Sequence, residues 1–233
     1  MKFAIIAAGE GSHLANEGVK YPKPLVPLQG VPLIERLAGV FARHGASSIS
    51  IIINKQQPET LAHLQQLRER YPINIVVEDT PSSMHSMHAL MPWLEGDEKF
   101  CLTTVDTIFR EEEFTRYLAE FEKSDSDGLM AVTPFVDDEK PLYVATNEQL
   151  DITAFCDKAG NDTQYVSGGI YGLTPKALLT LRRCMEQGVS RMRNFQRALI
   201  ADGLQLRAFP FEKIIDIDHA DDIIKAQLFL DTL

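Results

Sequence analysis

The chain has 233 residues, of which 45% are hydrophobic and 24% charged, and its formal net charge at pH 7 is −10. This is the composition of a globular protein that is long enough to bury a substantial core. The acidic excess argues against nucleic acid as a partner, because a negative surface repels the phosphate backbone, although a few cations in a pocket would still admit a small phosphorylated ligand.

The cysteines and the apolar runs bear on where the protein works. Cys101, Cys156 and Cys184 are widely spaced, and so sparse a set is typical of neither a disulfide framework nor a zinc site. The apolar run 3–8 is too short for a signal peptide, and no run approaches the roughly 20 apolar residues of a membrane span. We therefore expect a cytoplasmic protein with no membrane or nucleic-acid partner.

Strands and helices alternate in the first half of the chain. Short apolar or β-branched runs predict strands, and apolar residues at helical spacing, as in 32–44, predict helices. Alternation with short connections predicts a mainly parallel sheet covered by helices on both faces. In chain order the predicted elements are strand 3–8, helix 32–44, strand 48–53, helix 58–71, strand 73–77, helix 83–94, strand 100–105 and helix 111–123.

Strand-like segments dominate the next part of the chain. We interpret residues from about 128 to 170 as a small β-rich lobe grown on the sheet, because no linker-like segment separates the halves. The predicted fold class is therefore α/β, a single domain over residues 1–233 with a mixed, mainly parallel central sheet flanked by helices. The remaining predicted elements are strands 128–135, 143–145, 152–156 and 164–173, helices 175–187 and 190–202, strand 205–209 and a helix from 219.

A glycine loop follows the first predicted strand and reads Ala7-Ala8-Gly9-Glu10-Gly11-Ser12-His13-Leu14. Glycines there permit positive φ and let backbone N–H groups approach an anion. The loop lacks the third glycine of a dinucleotide fingerprint and the Gly-Lys-Ser/Thr of a P-loop. Ligands on such sheets lie at the carboxyl ends of the strands, so we expect this loop and Asp106 in one crevice.

The loop and the segment Pro22-Lys23-Pro24-Leu25-Val26-Pro27-Leu28-Gln29-Gly30-Val31-Pro32-Leu33 together resemble the nucleotidyltransferase family. Sugar-nucleotide pyrophosphorylases of that family carry Ala-Ala-Gly-x-Gly-Thr/Ser-Arg-Leu/Met and then Pro-Lys-Pro-Leu-x-Pro-x-x-Gly-x-Pro-Leu. The resemblance implies a Rossmann-like, glycosyltransferase-A-like fold. It also implies a nucleotide-binding half over about 1–127 and an acceptor-binding half over about 128–233.

The resemblance further implies a reaction in sugar-nucleotide biosynthesis. An NTP would transfer its nucleotidyl group to a sugar-1-phosphate in a Mg²⁺-dependent step, giving an NDP-sugar and pyrophosphate. Such a transferase needs little covalent chemistry from the protein, because positioning and charge neutralisation dominate. The implied partners are the NTP and a small phosphorylated substrate, and a homo-oligomer remains open.

Site residues follow from the same resemblance. Asp106 and Asp216 are expected to hold Mg²⁺, which prefers hard oxygen ligands. Lys23 would serve the α-phosphate and Lys158 the acceptor phosphate, while Asp218 can be interpreted as a cap of the last helix. Acceptor contacts are expected from Asp157, Gly168 and Gly169, and nucleotide contacts from Ala7, Ala8, Gly9, Gly11, Ser12, Thr80, Ser82 and Ser83.

His13 stands where the family has an arginine aimed at the departing β- and γ-phosphates. Arginine is always charged and binds phosphate through two parallel hydrogen bonds, whereas histidine near pH 7 is only partly charged. Three interpretations stay open. His13 is a catalytic substitute assisted by Lys20 or Lys23, or the enzyme is slow, or the protein is a nucleotide- or sugar-binding regulator with weak or no turnover.

Two alternatives concern the substrate and the reaction. The serine-rich segment 80–86 is closer to that of phosphocholine cytidylyltransferases than to that of hexose-1-phosphate enzymes. The acceptor could therefore be phosphocholine or a similar small phosphate. A glycosyltransferase of related fold would want Asp-x-Asp at a mid-chain strand end. Val105-Asp106-Thr107 does not offer it, and Asp216-Ile217-Asp218 does but lies too late in the chain.

Overall fold

The computed structural model describes residues 1–232. Over its first 123 residues, strands and helices alternate as predicted. The predicted helix 58–71 is the one whose end differs most, since it stops at Leu67 and residues 68–70 continue as a turn before Pro72. The elements are β1 (Lys2–Ala7), α1 (Ser12–Asn16), a 3-10 turn (Lys23–Leu25), β2 (Pro27–Leu28), β3 (Val31–Pro32), α2 (Leu33–Arg43), β4 (Ser48–Ile53), α3 (Pro58–Leu67), β5 (Ile73–Val77), α4 (Ser83–Leu94), β6 (Phe100–Thr104), β7 (Thr107–Ile108) and α5 (Glu111–Lys123).

The second half is richer in strands, also as predicted. No helix among residues 1–232 is long and apolar enough to cross a lipid bilayer. The elements are β8 (Gly128–Thr133), β9 (Tyr143–Thr146), β10 (Ile152–Cys156), β11 (Tyr165–Leu173), α6 (Lys176–Glu186), α7 (Met192–Ala201), β12 (Leu206–Pro210), β13 (Ile215–Asp216) and α8 (Ala220–Asp231).

One mixed sheet organises the molecule. Within residues 1–232 it has nine strands, in the order β10-β9-β11-β6-β1-β4-β5, with β8 beside β11 and β12 beside β8. The pairs β6–β1, β1–β4 and β4–β5 are parallel, and the antiparallel strand β11 attaches the second half to β6. The predicted α/β fold with a mixed sheet is confirmed.

Both faces of β1 are buried, and this explains its uninterrupted apolar sequence. Phe3 and Ile5 pack with the helices α2, α5 and α8, while Ala4 and Ile6 pack with α4, α6 and α7 on the other face. Successive side chains of a strand point to opposite faces, so a strand between two helical layers carries apolar residues throughout. The carboxyl end of β1 therefore emerges from a fully packed layer.

A two-residue antiparallel pair completes the region beside this sheet edge. In it Asp216 of β13 lies opposite Thr107 of β7, and Ile215 lies opposite Ile108. The backbone N–H of Ile217 also donates to the carbonyl of Asp106 at 3.1 Å. This short pairing brings a segment from near the C-terminal helix to the end of β6.

Candidate active site

The glycine loop turns sharply between β1 and α1. Gly11 has φ +62°, and a Cβ on it would lie 3.2 Å from Cβ of Lys23, so both conformation and space favour glycine there. Gly9 differs, because its φ is not positive and a Cβ on it would meet no atom of the described residues 1–232 within 4 Å. Of the two glycines in the loop, only Gly11 therefore has a backbone conformation that requires glycine.

Two amide side chains fix the orientation of the loop. Asn54 donates to the carbonyls of Ala8 and Gly9 at 3.2 Å each, and Gln57 donates to the carbonyl of Gly9 at 3.2 Å. The N–H groups of residues 9–11 donate to no acceptor within residues 1–232. The loop therefore holds its carbonyls in internal hydrogen bonds and keeps N–H donors for an anion.

Lys23 lies at the centre of the site. Its Nζ is 2.8 Å from Oδ2 of Asp106 and 2.8 Å from Oδ1 of Asp218, and its side chain is only 14% exposed. Burial alone would lower the pKa of Lys23, but the two carboxylates outweigh it and raise the pKa above its ordinary value. Pro22 and Pro24 stiffen the turn that presents this charged amine.

Asp216 joins the same cluster from the second half of the chain. Its Oδ1 accepts a hydrogen bond from the hydroxyl of Thr107 at 3.3 Å. Burial, together with the negative charges of Asp106 and Asp218, raises the pKa of Asp216 well above its usual range. The site thus has more carboxylate charge than Lys23 alone can balance.

His13 contacts a second histidine. Its ring lies 4.9 Å from the ring of His219, edge to face. Nδ1 of His219 is 2.6 Å from Oε1 of Glu17, whose other oxygen accepts from the N–H of Ala220 at 2.6 Å. The hydrogen bond to Glu17 raises the pKa of His219, which favours the charged form of the imidazole that lies beside His13.

A cavity of about 590 Å³ opens beside the loop, and some of the residues predicted to bind the nucleotide line it. Ala8, Gly11 and Thr80 line it together with Lys23. The hydroxyl of Thr80 is already bonded to that of Ser86 at 2.6 Å. Among the predicted residues, these are the ones this cavity brings together with the central lysine.

Ser82 is used within the protein. Its Oγ lies 2.8 Å from Nδ1 of His85 and accepts from the N–H of Arg191 at 3.2 Å. It precedes α4 but makes no side-chain cap bond to that helix, and Ser83 begins the helix. The serine-rich start of α4 therefore connects to α7, a contact that the sequence does not indicate.

Gly168 and Gly169 are tightly packed, and Gly169 approaches the threonines that precede and follow Asp106 in the chain. Lys158 lines a recess with Asp157 and Arg193, and this recess adjoins the cavity at Asp106 and Asp216, which Arg193 also lines. Lys158 itself lines none of the cavities that contain Asp106 or Asp216.

A second cavity, which we call the acidic cavity, has a volume of about 490 Å³. It adjoins the centre through Asp216 and Asp218 and includes His13 and His219. Lys225 also lines it, and its ammonium group forms ion pairs with Asp137 at 2.8 Å and with Asp222. Its remaining acidic lining residues are Asp138, Glu139, Asp221 and Asp222.

Asp218 and His219 are residues of the candidate site whose place there sequence reasoning missed. Asp218 is not the cap of α8, because His219 holds the cap position and its backbone N–H donates to Oδ2 of Asp222 at 2.8 Å. The repeated Asp-Ile-Asp spacing of 216–218 was the available signal for a second carboxylate. No local signal indicates that His219 lies beside His13, since that contact joins segments about two hundred positions apart.

The arrangement can hold phosphate and a divalent cation together. N–H donors, Lys23 and the two histidines suit phosphate oxygens. The aspartate oxygens suit a hard cation such as Mg²⁺, which commonly binds one or two carboxylates plus substrate phosphates. Within residues 1–232 no three His, Cys, Asp or Glu side chains form a group that could hold a metal ion by themselves.

Comparison with known proteins is consistent with this geometry. A family model described as "Nucleotidyl transferase" matches residues 2–232. The inositol-1-phosphate CTP transferase from T. maritima shares the fold, with a TM-score of 0.82, 16% identity, and coverage of 99% of this chain and 96% of that one.

Two curated relatives are also similar in sequence. The 2-aminoethylphosphonate cytidylyltransferase of Lancefieldella rimae is 30% identical over 112 residues, 46% of this chain and 44% of that protein. A mannose-1-phosphate guanyltransferase of Aspergillus fumigatus is 28% identical over 236 residues, 96% of this chain and 62% of that protein. The chain thus spans less than two thirds of the length of either relative.

Proposed function

The chain belongs to the nucleotidyl transferase family, and from this premise we propose that it transfers a nucleotidyl group from an NTP to a sugar-1-phosphate. In this reaction an oxygen of the acceptor phosphate forms a bond to the α-phosphorus, and the bond to pyrophosphate breaks. The products are an NDP-sugar and pyrophosphate. One observation carries the proposal: Lys23 and the carboxylates of Asp106, Asp216 and Asp218 meet beside a glycine loop with N–H groups to donate.

The residues have separate tasks in this proposal. The N–H groups of the loop bind the phosphates of the NTP, and Lys23 neutralises charge that develops on the α-phosphate. His13 and His219 contribute positive charge toward the departing pyrophosphate, with His219 kept protonated by Glu17. The histidine pair would thereby replace the single arginine that this loop has in related sequences.

Asp106 and Asp216 would hold Mg²⁺. When bound, the ion supplies positive charge to phosphate oxygens. Support comes from the surplus carboxylate charge, because the raised pKa of Asp216 results from burial and from unbalanced negative neighbours. A divalent cation would relieve that repulsion, so these residues fit the ion chemically.

A second candidate acceptor is a small phosphate or phosphonate that carries an amine. The acidic cavity adjoins the carboxylate cluster, and Asp138, Glu139 and Asp221 line it without an ion pair to a lysine or arginine among residues 1–232. Such a wall suits an ammonium group better than the hydroxyls of a hexose. The likeness to a relative named for 2-aminoethylphosphonate also favours this candidate.

A pyrophosphate-release assay tests the proposal. The four common NTPs are combined with a panel of hexose-1-phosphates, phosphocholine and 2-aminoethylphosphonate, in the presence of Mg²⁺. We expect release only when an NTP and one acceptor are both present, and the productive pair identifies the base and the acceptor class. Asp106→Asn is the matched inactive variant.

The outcomes separate the alternatives. Turnover with hexose-1-phosphates alone supports the first candidate, and turnover with amine-bearing acceptors alone supports the second. If no pair releases pyrophosphate while calorimetry detects NTP binding, the transferase proposal is wrong and the protein is a nucleotide-binding regulator.

A further inference from the structure

A largely irregular segment carries Asp216 to the candidate site. Between Pro210 at the end of β12 and the start of α8, only the two residues of β13 form a strand. Their pairing with β7 places Asp216 opposite Thr107, and the N–H of Ile217 donates to the carbonyl of Asp106 at 3.1 Å. An isolated two-stranded pairing is marginally stable at best in water, so this one needs additional contacts to keep its register.

Glu113, in the first turn of α5, supplies such a contact. It is buried, and its Oε1 accepts a hydrogen bond from the N–H of Glu212 at 2.8 Å. Glu113 follows β7 in one continuous stretch, residues 106–113, and residues 212–217 run antiparallel along that stretch. The two stretches are therefore bonded to each other at both ends, with the pairing of β7 and β13 between.

The carbonyl of Glu212 is held as well. Oγ1 of Thr133, the last residue of β8, donates to this carbonyl at 3.3 Å and accepts from the N–H of Phe135 at 3.2 Å. The backbone of Glu212 is thus fixed to β8 through its carbonyl and to α5 through its N–H. Glu113 is the side chain that connects this turn to the stretch that carries Asp106.

Glu113 makes this contact although its carboxyl group is not fully bonded. Its Oε2 is buried and has no hydrogen-bond partner within residues 1–232, and a buried polar atom without a partner lowers stability. A glutamate at the third position of a helix can bond back to the residue that precedes the helix, whereas Glu113 bonds to a residue 99 positions away. An apolar side chain would fill the same space without the unpartnered oxygen, so the bond to Glu212 is what distinguishes glutamate here.

We propose that Glu113 is a positioning residue that sets the place of Asp216 relative to Asp106. It acts through the backbone, by holding residues 212–217 in register on residues 106–113. Glu113 itself lines neither the acidic cavity nor the cavity that contains both Asp106 and Asp216. The consequence for a divalent cation rests on the proposed function, because carboxylates that share an ion must keep their spacing, and removing a group that orients metal ligands typically lowers metal affinity about 10–100-fold.

Hydrogen exchange tests the positioning directly. Glu113→Met keeps the length of the side chain and removes the acceptor, so we expect the amides of residues 212–217 to exchange about tenfold faster than in the wild type, measured by mass spectrometry. Glu113→Gln keeps an oxygen that can accept from Glu212 and should exchange as slowly as the wild type. Glu112→Ala changes the exposed neighbour and, as the matched control, should have no effect. Equal exchange in Glu113→Met and the wild type would overturn the proposal.

Binding of Mn²⁺ reports on the carboxylates themselves. The ion is titrated, with its electron paramagnetic resonance signal as the readout, into each protein saturated with a non-hydrolysable NTP analogue. We expect Glu113→Met to weaken Mn²⁺ binding about tenfold or more, and Glu113→Gln and Glu112→Ala to bind the ion as tightly as the wild type. Unchanged affinity in Glu113→Met overturns the inference and leaves the transferase proposal standing. If the wild type itself binds no Mn²⁺, the cation of the proposed function is refuted, and the exchange measurement decides the role of Glu113 by itself.

Stability separates positioning from a purely structural role. Glu113→Met also removes the unpartnered oxygen, so its urea midpoint should stay close to that of the wild type while its affinity for Mn²⁺ falls. Leu64→Ala removes a buried side chain of α3, so it should lower the midpoint and leave the affinity unchanged. If the affinities follow the stabilities of the variants instead of the bond to Glu212, Glu113 acts only on the fold and the proposal is wrong. Glu113→Ala, which also lacks the acceptor, replaces Glu113→Met if that variant does not fold.

Discussion

Gly169 is the position where one methyl group should disturb both stability and the candidate site. Its φ is +74°, and a Cβ on it would lie 2.7 Å from Oγ1 of Thr107 and 3.1 Å from Oγ1 of Thr104. Thr107 is buried, and its hydroxyl is hydrogen-bonded to the hydroxyl of Thr104 at 2.6 Å and to Asp216 at 3.3 Å. Its side chain therefore cannot easily move away from an added methyl group. Replacement by alanine therefore combines backbone strain with overpacking.

The two costs can be separated. A left-handed conformation costs a residue with a Cβ roughly 1–2 kcal/mol, and overpacking in a closed space costs roughly 1–3 kcal/mol. We therefore expect Gly169→Ala to lower the free energy of unfolding by about 2–5 kcal/mol. Gly203→Ala is the matched control, because Gly203 has φ +82° but a Cβ there meets no atom of residues 1–232 within 4 Å. This control should lose only the backbone strain of roughly 1–2 kcal/mol.

Urea unfolding measures the free energy of both variants. Thr107→Ala in the Gly169→Ala background removes the close hydroxyl, so a double-mutant cycle should recover most of the packing cost. Activity should fall as well, because displacing Thr107 removes the hydrogen bond to Asp216. If Gly169→Ala is no more destabilising than Gly203→Ala, the close approach to the threonines does not matter and this reasoning fails.

Three further predictions concern charge. His13→Arg should raise turnover about tenfold or more if His13 is a weak phosphate contact, and a rate that is unchanged or lower in steady-state assays would remove it from that role. Asp106→Asn should reduce Mg²⁺-dependent turnover about a hundredfold or more, because it takes one carboxylate from the cluster, whereas retained activity would exclude Asp106 as a metal ligand. Glu17→Gln should lower the melting temperature most between about pH 4.5 and 6.5 and less at pH 9, because the contribution of His219 is lost as the pH rises through its raised folded pKa. The sign follows because the folded pKa of His219 is raised from 6.5 and that of Glu17, chiefly through the hydrogen bond from Ala220, is lowered from 4.5. An equal loss at all three pH values would show that the ion pair contributes nothing.

The regular part of the fold is predictable because its signals are local. The apolar run of β1 and the helical spacing of α2 follow from burial on two faces and on one face respectively. The glycine of a helix end was also readable, since Gly45 has φ +74° just beyond α2. Strand alternation then leaves few arrangements for the sheet.

The short pairing of β7 with β13 was beyond sequence reasoning. Two residues carry no periodicity, yet this pairing decides that Asp216 lies beside Thr107. The positive φ of Arg191 before α7 was equally hidden. Such properties depend on tertiary contacts, so no local pattern reports them.

Lys23 joins the two halves of the chain through unequal bonds. The carboxylate of Asp106 is 19% exposed, whereas that of Asp218 is 50% exposed, although both lie 2.8 Å from Nζ of Lys23. A phosphate oxygen that competes for Lys23 displaces Asp218 at lower cost, since water can solvate the exposed carboxylate and the more buried one would be left unpaired. Phosphate binding at Lys23 would therefore loosen its bond to the segment before α8 while keeping the bond to β6. Because His219 follows Asp218 directly and its ring lies 4.9 Å from that of His13, loss of the bond between Lys23 and Asp218 would also affect the histidine pair. The loop, the lysine and the start of α8 would then respond to phosphate together.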